Sequence, residues 1–309
     1  MDCFDSDAER PSGRLEPPAS DLSTIEETVD DRRFKEAIDA IETYGAPSSY
    51  HDDWAQFLKG RAFFGLEYFE AGYNAFDSAY QRTKKVIAED EEVRRFRLGA
   101  MALKKMGWLH RRNEEFERAY ALHAIQYRYA VRYGSYKEIH DATLSLDVDA
   151  YFLKNPTLSR MWLERGVEAA ESIEADSRRF KALGMTWNNL AGTLCELGQF
   201  EKSEAAIEAS LDAWSRYEQE EGAQEHRRVW AQYGVSDVYQ RWGQYLAEVD
   251  DEEAESKFKK ARSALTQAME LAEEQDMPTG ERQPLQSKLH RIRAELSEEP
   301  ESSEEDASD

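Results

Sequence analysis

Two cysteines, Cys3 and Cys195, are all that 309 residues contain. Cys195 sits inside a helical pattern, which argues against a disulfide framework. No run of about 18 apolar residues occurs, so no membrane span is expected. The opening, MDCFDSDAERPSGRLEPPASD, has neither a basic start nor an apolar core and does not read as a signal peptide; Cys3 lies in a polar setting that does not suit a lipid anchor. The cytoplasm is the simplest compartment. Glycine and proline are scarce, at 16 and 8, as a helical chain requires. Reactive motifs are missing as well: there is no Gly-rich phosphate loop, no His-Glu-x-x-His and no Cys-x-x-Cys. The six histidines are scattered. His110 and His123 could pair on a metal, but two packed histidines are the simpler reading. Catalysis needs convergent groups, so neither an enzyme nor a cofactor is expected.

Basic charge is also scarce overall, and it is concentrated. The chain carries −23, with 63 Asp and Glu against 40 Lys and Arg. Yet residues 94–137, RRFRLGAMALKKMGWLHRRNEEFERAYALHAIQYRYAVRYGSYK, hold eleven cations and only Glu114, Glu115 and Glu117. The acidic excess reads as adaptation to a salty interior, where screening shortens to about 3 Å at 1 M salt, or as attraction to basic partners.

Residues 1–20 mix Pro, Ser, Gly and acids without periodicity and are expected to be disordered. Helical patterning starts near Leu22. DDRRFKEAIDAIETY (30–44) sets Phe34, Ala37, Ile38 and Ile41 on one face before Gly45, Ala46 and Pro47 stop it. A helical pair follows over 51–88. The final helix, about 284–296, reads as a cap, giving a repeat region over 21–279, a capping helix over 280–296 and a disordered acidic tail, SEEPESSEEDASD, over 297–309.

Within this pattern a spacing recurs. Gly60, Gly107 and Ala191 are each followed nine residues later by Phe69, Phe116 and Phe200. Twelve later stand Gly72, Ala119 and Ser203, and sixteen later Phe76, His123 and Ile207. Small residues let two helices approach closely, and the aromatic closes the turn between them. Gly107 and Ala191 are 84 residues apart, so a further unit centred on Asp149 is expected, with Leu158 nine later. Gly234 begins another, but Phe258 and Ala261 come about fifteen residues late, which implies a lengthened first helix and an acidic turn near Asp250.

The copies WNNLAGTLCELGQFEKSEAAIEASLDAW (187–214) and LKKMGWLHRRNEEFERAYALHAI (103–125) resemble the tetratricopeptide repeat, a helix–turn–helix unit. At about 42 residues the unit is longer than the usual one of about 34. Units of this length resemble those of kinesin light chains, of cell-polarity adaptors that bind spindle proteins, and of the peptide-responsive Rap regulators. The resemblance implies an all-α, right-handed superhelical solenoid of about five helix–turn–helix pairs that binds a protein or peptide partner along its first helices.

On that implied concave face Lys104, Trp108 and Arg111 fall at i, i+4 and i+7, with Arg112 alongside and Arg61 extending the basic floor. Two units on, the face presents Asn188 with Asn189 beside it. Arg grips carboxylate through two parallel bonds, Lys acts as a point charge, and Asn both donates and accepts along a peptide backbone. The implied ligand is an acidic segment or a C-terminal carboxylate. Three other readings stand beside it. The cations could satisfy acids packed against them, such as IAEDEEV (87–93), with Trp108 in the core between units. The acidic tail could fold back into the groove as an autoinhibitor. A Rap-like peptide sensor would need a separate N-terminal bundle, for which residues 1–50 are short. Tyr127, Tyr129, Tyr133 and Tyr136, interleaved with Arg128 and Arg132, invite a nucleic-acid reading, which the net charge opposes. Self-association through the apolar ends of the array is open.

Overall fold

The structure is a computed structural model that describes residues 15, 20–45, 48–83, 89–221, 227–247 and 251–296. The predicted acidic tail, the turn at Asp250 and nearly all of the predicted leader lie outside these residues. Leu15 and Ser20 are the exceptions in the leader: Ser20 begins the first helix, and Leu15 is buried in a core with Leu22, Ile25 and Trp54. Among the described residues all regular structure is α-helical.

The chain divides into two compact units, 1–169 and 170–309. Unit 1 holds α1 (Ser20–Asp30), α2 (Phe34–Thr43), α3 (Ser49–Gly65), α4 (Phe69–Thr83), α5 (Glu89–Arg112), α6 (Phe116–Tyr133), α7 (Tyr136–Phe152) and α8 (Pro156–Glu171), whose last two residues pass the boundary. Unit 2 holds α9 (Asp176–Glu196), α10 (Phe200–Glu221), α11 (Arg227–Leu246), α12 (Asp251–Glu274) and α13 (Thr279–Glu295).

The small-residue spacing is the helix crossing. A Cβ on Gly107 would fall 2.3 Å from Nε2 of His123, and one on Gly60 would fall 2.7 Å from the Phe76 ring, so a side chain at either position would push back the ring that fills the crossing. Ser203 makes the same crossing by donating from its hydroxyl to the Ala191 carbonyl at 2.6 Å. Seven residues after each anchor the backbone turns left-handed, at Glu67, Glu114 and Gly198. The amide eight residues after each anchor closes the turn by donating to the carbonyl three residues after it: Tyr68 to Phe63, Glu115 to His110 and Gln199 to Leu194, at 2.9 Å each. This is the Schellman closure, which satisfies carbonyls orphaned at a helix end.

The same closure relocates one anchor and adds another. Asn155 donates to Ala150 at 3.0 Å with Lys154 left-handed, which places the α7–α8 anchor at Asp147, two residues before the expected Asp149. Asp147 is not small; it is accommodated because Ser159, twelve residues on, donates to its carboxylate at 2.6 Å. Arg33 donates to Thr28 at 3.0 Å with Arg32 left-handed, so α1–α2 is a full unit anchored at Ile25, with Phe34 nine and Ala37 twelve residues later. In unit 2 the α11–α12 crossing lies at Gly243, where a Cβ would meet the Phe258 ring at 3.0 Å, and not at Gly234. Gly234 instead receives Asn188 and Ile207 from α9 and α10. The final helix begins at Thr279, with Pro284 inside it, and buries Leu285 and Ile292.

Candidate functional site

In unit 1 the first helices α3, α5 and α7 lie side by side. Three cations on α5, spaced by seven, form a ladder with acids on α7. Arg97 bonds Glu138 through Nε at 3.0 and 3.1 Å, Lys104 reaches Asp141 at 3.4 Å, and Arg111 reaches Asp149 at 2.8 Å. Glu138 is held in place because it also closes the α7 capping box with Ser135, accepting from the Ser135 amide at 2.7 Å.

Lys104 and Arg111 therefore sit on the α7 seam. Arg111 also donates to the Ser145 carbonyl at 2.8 Å, and His123 Nδ1 meets the other Asp149 oxygen at 2.5 Å. Asp149 and His123 are buried, so this cluster works as a packed structural network. Lys104 is more open, and it shares Asp141 with Lys137 at 3.0 Å. Burial raises the Asp141 carboxyl, but the His140 hydrogen bond and the Lys104 and Lys137 charges outweigh it and hold the group well below the usual carboxylate range. His110 bonds Glu115 at 2.5 Å, so the two histidines have different carboxylate partners. Among the described residues no group of three or more His, Cys, Asp and Glu gathers as a metal site.

The other edge of α5, toward α3, is differently equipped. Trp108 is 41% exposed and leans on Phe64 and Phe69, with ring centroids 5.8 and 6.2 Å away. The Arg112 guanidinium lies 4.1 Å over the Phe69 ring and 5.7 Å from the Trp108 ring. Arg61 on α3 is bound to Glu26 at 3.0 Å and to Asp30. Lys105 was not among the residues the sequence singled out. It is exposed and completes this edge. Burial first, then repulsion from Lys104 and Arg61, pulls its ammonium below the ordinary lysine value. Among the described residues neither Lys105 nor Arg112 is paired with a carboxylate.

The tyrosines of the basic stretch pack inward. Tyr127 is buried against Trp162 at 5.0 Å, Tyr133 stacks on Phe96 at 4.4 Å, and Tyr129 meets the same ring edge-on at 4.9 Å. Of IAEDEEV, only Val93 has a described side chain. In unit 2, the Asn188 amide oxygen is buried against Gly234 with no hydrogen-bond partner among the described residues, and Asn189 is exposed.

No family model matches the sequence, and no curated protein matches it. Solved structures are similar to it at low identity. One is a kinesin light chain of Podosopora anserina with nearly identical TPR-like repeats, at 12% identity and TM-score 0.48, covering 69% of this chain and 94% of that one. A Rap protein complexed with competence and sporulation factor has 12% identity and TM-score 0.48, covering 90% and 86%. A TPR repeats protein from Bacteroides fragilis has 13% identity and TM-score 0.32, covering 79% and 99%. On its own crossings, Schellman turns and repeat spacing, this chain is an all-α array of tetratricopeptide-like helix–turn–helix pairs.

Proposed function

We propose that the chain is a non-enzymatic adaptor that binds a protein or peptide partner on the α3, α5 and α7 face of unit 1, through an acidic or carboxylate-ended segment. The carrying observation is Trp108. An indole that is 41% exposed forgoes part of a burial gain of about 2 kcal/mol, and unpaired cations flank it on both sides. In a chain of −23, such a place attracts an anionic segment that the rest of the surface repels. Lys105, Trp108 and Arg112 make the contact. Lys104, held to Asp141, and Arg61, held to Glu26, add positive field without giving up their partners, while Arg111 braces α5 against α7. Asn189 offers a separate polar contact in unit 2.

Two features favour this reading over a peptide sensor with its own effector bundle and over a nucleic-acid binder. Among the described residues the chain ahead of α3 forms only α1 and α2, a short pair that packs against α3. The tyrosines that would stack on bases are engaged with Phe96 and Trp162.

The test is a photo-crosslinking benzophenone amino acid placed at Trp108 in the full chain, with the same probe at Lys259 on α12 as reference, illuminated in the native cytoplasm at working salt. A partner captured from position 108 alone, and displaced by an excess of acidic peptide, is the expected result. Identical crosslinks from both positions, or none from 108, contradict the reading.

A further inference from the structure

Along α5 the outward residues Lys105, Trp108 and Arg112 are spaced i, i+3 and i+7, so all three share one side of the helix. Lys105 and Arg112 are therefore about 10.5 Å apart along the axis, with Trp108 about 4.5 Å from the first. The Arg112 guanidinium spends its face on Phe69, which leaves its N–H edges for a planar carboxylate.

A peptide that meets both cations must present two carboxylates on one side of its backbone at a matching separation. A β-strand offers same-side residues two apart, at about 6.7 Å, or four apart, at about 13.4 Å. Polyproline II returns to the same side every three residues, at about 9.3 Å. It is also the conformation whose prolines dock on exposed aromatic rings. Building on the docking face proposed above, we propose that Lys105, Trp108 and Arg112 read an acidic polyproline II segment whose carboxylates stand three residues apart on either side of proline, the proline covering Trp108.

The neighbouring charges suit this role. Arg61, Lys104 and Arg111 are already held by Glu26, Asp141 and Asp149, so they do not compete for the incoming carboxylates. A carboxylate that reaches Lys105 relieves the repulsion which Lys104 and Arg61 exert on it.

The experiment uses the full chain and fluorescein-labelled peptides of one length with the cores Glu-Pro-Glu, Glu-Pro-Pro-Glu and Glu-Pro-Pro-Pro-Glu, read by fluorescence polarisation at low salt. The middle core is expected to bind tightest, by about five-fold, the size of one exposed charge contact. Lys105→Gln and Arg112→Gln are each expected to weaken it by about five-fold and to erase the spacing preference, while Lys259→Gln leaves both unchanged. Circular dichroism melts establish that each variant is folded. Equal binding of all three cores, or unchanged affinity in folded Lys105→Gln and Arg112→Gln, overturns the spacing reader and leaves the acidic-peptide face standing. Binding of none of the three overturns both.

Discussion

The Arg112 guanidinium covers Phe69 at 4.1 Å, and one unit later the Phe152 ring covers Phe116 at 5.0 Å with an interplanar angle of 4°. The two are the same contact. Each joins the aromatic that closes one unit's turn to the position five residues after the next unit's anchor. Gly65 holds that position beside Phe34, where a Cβ would come within 2.3 Å of the ring. Successive pairs in unit 1 are thus keyed through one aromatic and one variable partner, and the sequence uses that variable position to place a cation beside Trp108.

A double-mutant cycle on Phe116 and Phe152 is expected to show a coupling of about 0.5–1.5 kcal/mol, the worth of an aromatic pair beyond its area. The same cycle on Phe69 and Arg112 is expected to give about 0.5–1 kcal/mol. Chemical denaturation of the single and double alanine variants measures both, and additive effects would show that the contacts are incidental.

The Arg111→Ala variant leaves the Asp149 carboxylate buried without its guanidinium. A loss of about 3–5 kcal/mol is expected, against at most about 1 kcal/mol for the half-exposed Lys104→Ala, which leaves Asp141 paired with Lys137. Urea denaturation distinguishes them. A mild Arg111→Ala would remove Arg111 from the structural network. A charge reversal at Arg111 is expected to disturb the packing of α5 on α7, so an affinity lost with it does not identify a ligand contact.

The first helices were legible in sequence where the anchor is small, at Gly60, Gly107 and Ala191, because close approach demands it. Ile25 was hidden because a large residue stands at its crossing. Asp147 was displaced to Asp149 because the units on either side have unequal helix lengths, so halving the interval between Gly107 and Ala191 misses the true crossing. Gly234 attracted the anchor that Gly243 holds, since a glycine is needed at both, once against Asn188 and once against Phe258. The ion-pair state of the α5 cations was not legible in the sequence. Lys104 and Arg111 satisfy i and i+7 as well as Lys105 and Arg112 do. What separates the pairs is Asp141 and Asp149, some 37 residues away in sequence, which no local pattern reveals.

Cys195 is buried beside Phe200 and Trp242, and burial pushes its thiol up to about 11. A folded value above the unfolded one gives stability that is full below about pH 9 and is lost as pH rises through 11. The cost is about 2–3 kcal/mol. The stability of the native chain should therefore fall across this window more steeply than that of Cys195→Ala, as denaturation at pH 8.5 and 10.5 would show. Equal slopes would place the thiol in water.

Lys288 on α13 is buried, with Nζ 2.7 Å from Asp237 and 4.2 Å from the Tyr233 ring. Burial outweighs Asp237 and lowers its ammonium, so the unfolded chain binds this proton more tightly and the group's contribution to stability rises as pH climbs toward 10.5. Asp237 keeps Arg241 at 2.9 Å. Lys288→Met is accordingly expected to be close to neutral at neutral pH, because the partly exposed Asp237 carboxylate stays paired with Arg241. A large loss would show that the buried amine holds the cap in place.

Acylation of the native full chain by a succinimidyl acetate at pH 8, followed lysine by lysine by mass spectrometry with and without a saturating Glu-Pro-Pro-Glu peptide, addresses the α5 docking face directly. Lys105, with its lowered ammonium, should react faster than Lys202 and Lys259 in the free chain. It should slow by at least about five-fold when the peptide is bound, while those two stay unchanged. Peptide bound with Lys105 still fully reactive, or protection spread evenly over all three lysines, would contradict an acidic-peptide site built on this edge of α5.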